Sequence, residues 1–164
     1  MKKNTKKDSE SSISELANIF DLPITQNFTY RLAEASWALN RQATTILNSV
    51  CGLGLNEWRV LRMVASNSAK SNTELSKFIG MDKSIISRSM GSLELKGVLA
   101  LERNRDDRRK VDITLTTKGY EIYKKTLPHM QARQRYLFDQ LNEDEQKLLG
   151  KVLEKIKHAA ANWS

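Results

Sequence analysis

A short segment near residue 105 concentrates side chains that could bind phosphate groups. In the run RNRDDRRK, Asp106 and Asp107 are surrounded by five basic residues: Arg103, Arg105, Arg108, Arg109 and Lys110. Guanidinium and ammonium groups form charge-assisted hydrogen bonds to phosphate oxygens, and an arginine can enter a narrow minor groove, where the potential of DNA is most negative. Because nearly all of its side chains are charged, this segment is predicted to be an exposed loop. Taken alone, such a segment is more often an ordinary solvated loop.

A second polar group lies at the start of a helix predicted for residues 83–96. The apolar residues Ile86, Met90 and Leu93 recur at three- and four-residue steps, which predicts that this face is buried. The face left over carries four candidates for DNA contacts, with Ser92 a weaker one: Lys83, Ser84, Ser87 and Arg88. Serine and lysine suit phosphates or base edges, and an arginine can bind a guanine through two hydrogen bonds. Ordinary solvent-exposed positions would have the same composition, and that alternative stays open.

The elements around these residues predict a helix-turn-helix followed by a hairpin. A helix of about two turns ends at Gly80, and Asp82 can cap the helix 83–96, which ends at Gly97. Over residues 99–102 and 111–115, apolar and polar residues alternate instead of recurring at helical spacing. This alternation predicts two antiparallel strands. The basic segment connects these strands as a wing. Beside a helix-turn-helix, DNA binding becomes the favoured interpretation of its charge.

Long helices are predicted on both sides of this unit. One spans about residues 25–49, a shorter one starts at Leu55, and Thr116 can cap a third that contains Pro128. Asn142 and Glu145 form a capping box for the last helix. That helix carries an apolar stripe too large for a small monomer to expose, which predicts a homodimer, with packing inside the chain as the alternative. The stripe consists of Leu148, Leu149, Val152, Leu153 and Ile156.

The expected fold is mainly α with a small β-hairpin wing, a winged helix-turn-helix flanked by N- and C-terminal dimerisation helices. The expected segments are a disordered basic tail (1–12), an N-terminal dimerisation region (13–54), the DNA-binding domain (55–116) and C-terminal dimerisation helices (117–164).

Composition narrows the class of function. The chain has 164 residues and a formal charge of +8, so one domain is expected, with a polyanion or an anionic surface as its partner. Neither a membrane span nor a signal peptide is predicted, which favours a cytoplasmic protein.

With one cysteine, Cys51, and two histidines, His129 and His158, we expect no metal and no cofactor. The sequence contains no motif typical of nucleophilic catalysis, acid–base catalysis or a phosphate-binding loop, so we do not expect an enzyme. Cys51 is interpreted as a partly buried apolar residue rather than a redox sensor.

The run from Leu55 to Gly119 resembles the MarR family of bacterial regulators, named for multiple antibiotic resistance. MDKSIISRSMGSLELKGVL resembles the family's recognition helix, and DDRRKVDITLTTKG resembles its wing. Two short elements carry the second match: Asp-x-Arg at Asp107 to Arg109, and Leu-Thr-x-x-Gly at Leu115 to Gly119.

The resemblance implies a homodimer in which the first, fifth and sixth helices interlock, and two winged domains that bind a pseudo-palindromic DNA site. It implies that Arg109 enters the minor groove and that Asp107 holds it in place. Repression of transcription is commoner in this family than activation. Regulators of this family often respond to small aromatic or phenolic acids, which bind between the dimerisation helices and the winged domain.

Two Trp–Arg pairs are candidates for binding such an effector. Trp37 and Arg41 are four residues apart on the first helix, and Trp58 and Arg62 are four apart on the second. Each pair could offer an aromatic wall beside a cation for a carboxylate. Core packing by the tryptophans and solvent exposure of the arginines would explain the same residues.

One alternative function uses the same fold. A winged helix can be a protein-interaction module whose basic wing binds an acidic protein partner. Binding to DNA should weaken steeply with salt and keep a preference for one duplex sequence, whereas a protein-binding wing would lack that preference.

Overall fold

The computed structural model describes residues 23–66, 72–104 and 111–162. Within these ranges the fold is mainly helical with one two-stranded antiparallel hairpin, as the sequence predicts. The elements are α1 (Phe28–Val50), α2 (Leu55–Ala65), α3 (Asn72–Ile79), α4 (Lys83–Leu95), β1 (Leu99–Arg103), β2 (Val111–Leu115), α5 (Thr117–Phe138) and α6 (Glu143–Ala161). None of the helices in the described ranges is long and apolar enough to cross a membrane.

The chain divides into two compact units, Met1–Thr44 and Thr45–Ser164, and the boundary falls inside α1. In the first unit a short 3-10 turn, Ile24–Gln26, precedes α1. The side chain of Asn27 accepts a hydrogen bond from the Thr29 amide at 3.0 Å, which caps the first turn of the helix. Helix α1 therefore begins at Phe28, slightly later than the sequence predicts.

The second unit contains a hydrophobic core formed by α2, α3, α4 and the hairpin, together with the end of α1. Helix α4 packs on both α2 and α3, which is the arrangement of a helix-turn-helix. Ile86, Met90 and Leu93 of α4 are buried, which confirms the predicted inner face. The other buried apolar residues of this core are Leu47, Leu53, Trp58, Val60, Leu61, Val64, Leu75, Val98, Leu99 and Ile113.

Helix α4 ends in a turn that leads directly into the hairpin. Gly97 has φ of 67°, a left-handed conformation that glycine adopts without strain. The Val98 amide donates to Leu93 O and the Gly97 amide to Glu94 O, both at 2.8 Å, which is the Schellman pattern. Strand β1 then pairs with β2 from Leu99–Leu115 to Arg103–Val111. The recognition helix and the wing are thereby joined without a flexible linker.

The helix starts agree with the sequence at two places and differ at a third. Thr116 Oγ1 accepts from the Gly119 amide at 3.0 Å, and Asn142 and Glu145 form the predicted capping box of α6. Asp82 occupies the N-cap position of α4, but its side chain makes no capping hydrogen bond. Helix α5 continues through Pro128.

Several predicted features lie outside the described residues. These are the basic tail, residues 1–12, and five residues of the basic segment: Arg105, Asp107, Arg108, Arg109 and Lys110.

Candidate nucleic-acid interface

The first turns of α4 present the polar side chains that the sequence singles out. Lys83, Ser84, Ser87 and Arg88 are all exposed, while the opposite face of the helix enters the core. Arg88 Nε donates to the Ser84 carbonyl oxygen at 3.3 Å, so the guanidinium lies back along the helix. The structure therefore brings these four residues together on one surface.

The base of the wing is held by a side-chain contact across the hairpin. Arg103, the last residue of β1, is exposed. Next to it, Asn104 Nδ2 donates to both carboxylate oxygens of Asp112, at 3.1 and 2.9 Å. This contact joins the two strands where the basic segment leaves and re-enters the sheet.

A carboxylate inside the helix-turn-helix connects α2 to the end of α4. Glu57, in the first turn of α2, is only 9% exposed. Its Oε1 accepts from Ser92 Oγ at 2.5 Å and from Lys96 Nζ at 2.7 Å. Its Oε2 accepts from Lys96 Nζ at 2.8 Å and from the Gly54 amide at 2.7 Å. Both carboxylate oxygens are therefore engaged, and the same side chain caps α2 and contacts α4.

The ionised form of Glu57 is favoured by these contacts. Burial alone would raise the pKa of its carboxyl group, but the hydrogen bonds donated by Lys96, Ser92 and the Gly54 amide outweigh burial. The pKa of Glu57 therefore lies below the usual value for a glutamate. At neutral pH the carboxylate is charged and paired with Lys96.

A cleft of about 370 Å³ lies beside this cluster. Arg88 and Ser92, one helical turn apart on α4, form one side of it, and Asn56 and Glu57 of α2 form the other. The candidate base-contacting arginine therefore shares a cleft with the buried carboxylate.

A second, larger cavity of about 590 Å³ lies between α2, α3 and α5. Two guanidinium groups, those of Arg59 and Arg62, line it together with polar groups of Ser66 and Gln131. The remaining lining residues are Met63, Ile79, Tyr123 and Leu127. The guanidinium groups can bind the charged group of a small organic anion, and the apolar and aromatic side chains can contact the rest of it.

The structure corrects the predicted role of Trp58. Trp58 is 2% exposed, and its ring stacks on Tyr123 with centroids 6.0 Å apart. It therefore belongs to the core and cannot offer an open wall beside Arg62. The aromatic side chain that lines the cavity with Arg62 is Tyr123, which the sequence analysis missed.

The side chains of the other Trp–Arg pair lie close together. In the first unit, the guanidinium carbon of Arg41 lies 5.1 Å from the ring centroid of Trp37, a cation–π distance. Trp37 is 63% exposed. Its role in binding an effector stays a prediction.

Comparison with known proteins gives a family match over part of the chain. The model of the MarR family matches residues 52–110, which include the helix-turn-helix, β1 and the basic segment but end before β2. No protein of curated function matches the sequence significantly.

Solved structures agree with this chain over most of its length. A MarR/EmrR family transcriptional regulator from Acinetobacter sp. ADP1 has a TM-score of 0.78 and 25% identity, covering 87% of this chain and 100% of its own. A MarR family regulator from Streptomyces coelicolor, solved in complex with DNA, has a TM-score of 0.74 and 26% identity, covering 84% and 89%. The PcaV regulator from Streptomyces coelicolor, solved with its natural ligand, shares the fold at 16% identity with a TM-score of 0.73, covering 85% and 97%.

The family match covers the helix-turn-helix and the first strand of the hairpin, and the similarity in fold extends to the flanking helices. Over residues 52–110 this chain matches the MarR family, and its fold is that of MarR family transcriptional regulators.

Proposed function

We propose that this protein is a transcription regulator that binds a pseudo-palindromic DNA operator as a homodimer, acting as a repressor. The observation that carries the proposal is the exposed polar face at the start of α4, opposite its buried face. In a helix-turn-helix, that end of the second helix contacts base edges in the major groove. The similar regulator from Streptomyces coelicolor that was solved in complex with DNA supports the assignment.

The wing supplies the second DNA contact in this proposal. Its basic segment leaves the hairpin at Arg103 and returns at Val111, directly after α4 in the chain. Arg109 enters the minor groove, Asp107 orients it, and the remaining basic side chains Arg105, Arg108 and Lys110 neutralise phosphates.

Selection of bound duplexes from a randomised DNA pool tests the proposal. The purified chain is used at about 150 mM salt, where nonspecific electrostatic binding is largely screened. We expect enrichment of an inverted repeat whose half-sites are about one helical turn apart. Enrichment of no sequence would favour the alternative, a winged helix that binds an acidic protein.

The exposed face of α6 supports the homodimer. No residue of α6 is buried, and Leu148, Leu149, Val152 and Leu153 are between 39% and 60% exposed. These four residues and Ile156 share one side of the helix, so they form a continuous apolar stripe. A second copy of the chain would remove this stripe from water.

Replacing Leu149 by glutamate is expected to weaken the dimer. A charge in the apolar stripe is buried without a partner in both copies, so the dissociation constant should rise at least about tenfold. Sedimentation equilibrium measures it. The matched control is Lys151→Gln, which makes the same change of one charge unit on the opposite side of α6 and should leave the constant unchanged. Equal behaviour of the two variants would contradict an α6 interface.

The cavity between α2, α3 and α5 is the proposed effector site. Its volume of about 590 Å³ lies within the range of small-molecule pockets. Arg62 and Arg59 provide cations for a carboxylate, and Tyr123 provides an aromatic wall. A small aromatic or phenolic acid bound there would release the protein from DNA.

The variant Arg62→Met tests this site, because it keeps a long unbranched apolar stem and removes the cation. We expect the affinity for 4-hydroxybenzoate, measured by calorimetry, to fall about tenfold through loss of a charged hydrogen bond. Operator binding without the acid should not change. Lys125→Met removes an exposed cation of α5 outside the cavity and serves as the control. An unchanged affinity in Arg62→Met would remove Arg62 from the proposed site.

A further inference from the structure

Two kinds of contact hold the recognition helix α4 against α2. The apolar side chains Ile86, Met90 and Leu93 are buried in the core. Apolar packing is not directional, so it tolerates small rotations and shifts of a helix. The second kind is the set of short polar contacts that Ser92 and Lys96 make with Glu57. These depend on distance and angle, so they define the position of the helix more narrowly.

We propose that Glu57 is a positioning residue for DNA recognition, which fixes the rotation and axial position of α4 through Ser92 and Lys96. The inference rests on the proposed function, since it concerns how base contacts are made. Ser92 is one turn beyond Arg88 and borders the same cleft. A contact that fixes Ser92 therefore also fixes the backbone that carries Arg88.

The geometry explains why Glu57 suits this role. Its Oε2 accepts from the Gly54 amide, so the carboxylate is anchored at the start of its own helix. Its Oε1 then reaches the end of α4, 35 and 39 residues further along the chain. Contacts that specify a base must be placed within about 0.5 Å, whereas phosphate contacts by flexible side chains adapt to larger shifts. Loss of the carboxylate should therefore reduce specific binding more than nonspecific binding.

The test uses Glu57→Gln in the full chain and two duplexes. One is the operator obtained by selection, and the other is the same duplex with both half-sites scrambled. We expect the dissociation constant for the operator to rise about tenfold, as for loss of a base contact, and that for the scrambled duplex to change by less than about twofold. Removing a negative charge favours binding to any polyanion. A loss confined to the operator therefore cannot be an effect of net charge.

Two further variants separate positioning from stability. Ser92→Ala removes one contact to Glu57 with a smaller perturbation, and it should lower the operator-to-scrambled ratio in the same direction. If Glu57→Gln does not fold, Glu57→Asp takes its place, because it keeps the charge and shortens the side chain that reaches α4. Glu143→Gln removes an exposed carboxylate of α6, paired with Lys147, and is the matched control.

The outcomes distinguish this inference from the proposed function. If the unmodified protein prefers the operator, and Glu57→Gln and Ser92→Ala retain that preference within about twofold, the positioning role is overturned and the cluster serves stability alone. Equal losses of affinity for the operator and the scrambled duplex would overturn the positioning role as well. If the unmodified protein prefers no duplex, the proposed function fails first, and the positioning role fails with it.

Discussion

Replacing Gly119 by alanine is expected to destabilise the protein by about 3 kcal/mol, because the added methyl group has no room. A Cβ at this position would lie 2.1 Å from the carbonyl oxygen of Val98 and 3.2 Å from Leu115 Cγ. Van der Waals contact requires well over 3 Å. The obstacle is backbone, which cannot rotate away as a side chain could.

The Val98 carbonyl is also held in place by hydrogen bonds. It accepts from the Thr116 amide at 3.2 Å and from Thr116 Oγ1 at 3.1 Å. Moving it would break these contacts and disturb Gly97, where α4 turns into the hairpin. The variant should therefore lose DNA binding together with stability, since the recognition helix and the wing meet at this point.

Denaturant unfolding measures the loss, and a second glycine provides the control. Gly150 lies in the exposed middle of α6, and a Cβ there meets nothing within 4 Å. Gly150→Ala should raise the free energy of unfolding by up to about 1 kcal/mol through helix propensity. An unfolding midpoint of Gly119→Ala equal to that of the unmodified protein would contradict the packing argument.

This contact gives a physical reason for the Leu-Thr-x-x-Gly element. Leu115 ends β2, and Thr116 caps α5 by accepting from the Gly119 amide. Gly119 lets the first turn of α5 approach the backbone at the start of β1. The element therefore joins the wing to the helix that follows it, and the family resemblance at these residues reflects packing as well as function.

The helix-turn-helix and the hairpin could be predicted because their signals are local. Helical spacing of Ile86, Met90 and Leu93 defines one buried face, and a glycine in the left-handed conformation ends α4. Alternation then defines strands whose register runs from Leu99–Leu115 to Arg103–Val111. The helix face, the turn and the alternation each depend on residues only a few positions apart, and the two strands follow each other directly in the chain.

Glu57 and Tyr123 could not be predicted, because their partners are distant in the sequence. A glutamate in a first helical turn is usually a solvated capping residue, and nothing near it indicates contacts with Ser92 and Lys96. Tyr123 stacks on a tryptophan 65 positions earlier. The four-residue spacing of Trp58 and Arg62 likewise does not show that the tryptophan lies in the core while the arginine is exposed.

Replacing Arg88 by alanine is expected to lower operator affinity by about tenfold to a hundredfold, the loss that accompanies removal of a bidentate guanine contact. Arg88 is exposed on α4, and its Nε is held by the Ser84 carbonyl oxygen. A contact through the two terminal nitrogens is compatible with that hydrogen bond. The side chain is thus partly ordered before DNA binds, which lowers the entropy lost on binding.

The pattern of the loss identifies what Arg88 contacts. Dissociation constants are measured for the operator and for every single base-pair change within one half-site. A base contact predicts that Arg88→Ala loses its discrimination at one position per half-site and keeps it elsewhere. A phosphate contact predicts equal losses of affinity on all duplexes. It also predicts that the slope of the logarithm of the binding constant against the logarithm of salt concentration falls in magnitude by about one. Arg135→Ala, which removes an exposed arginine of α5, controls for the change in net charge. Since Ser92 and Glu57 hold α4 one turn beyond Arg88, the position lost in Arg88→Ala should also be the one that Glu57→Gln weakens most.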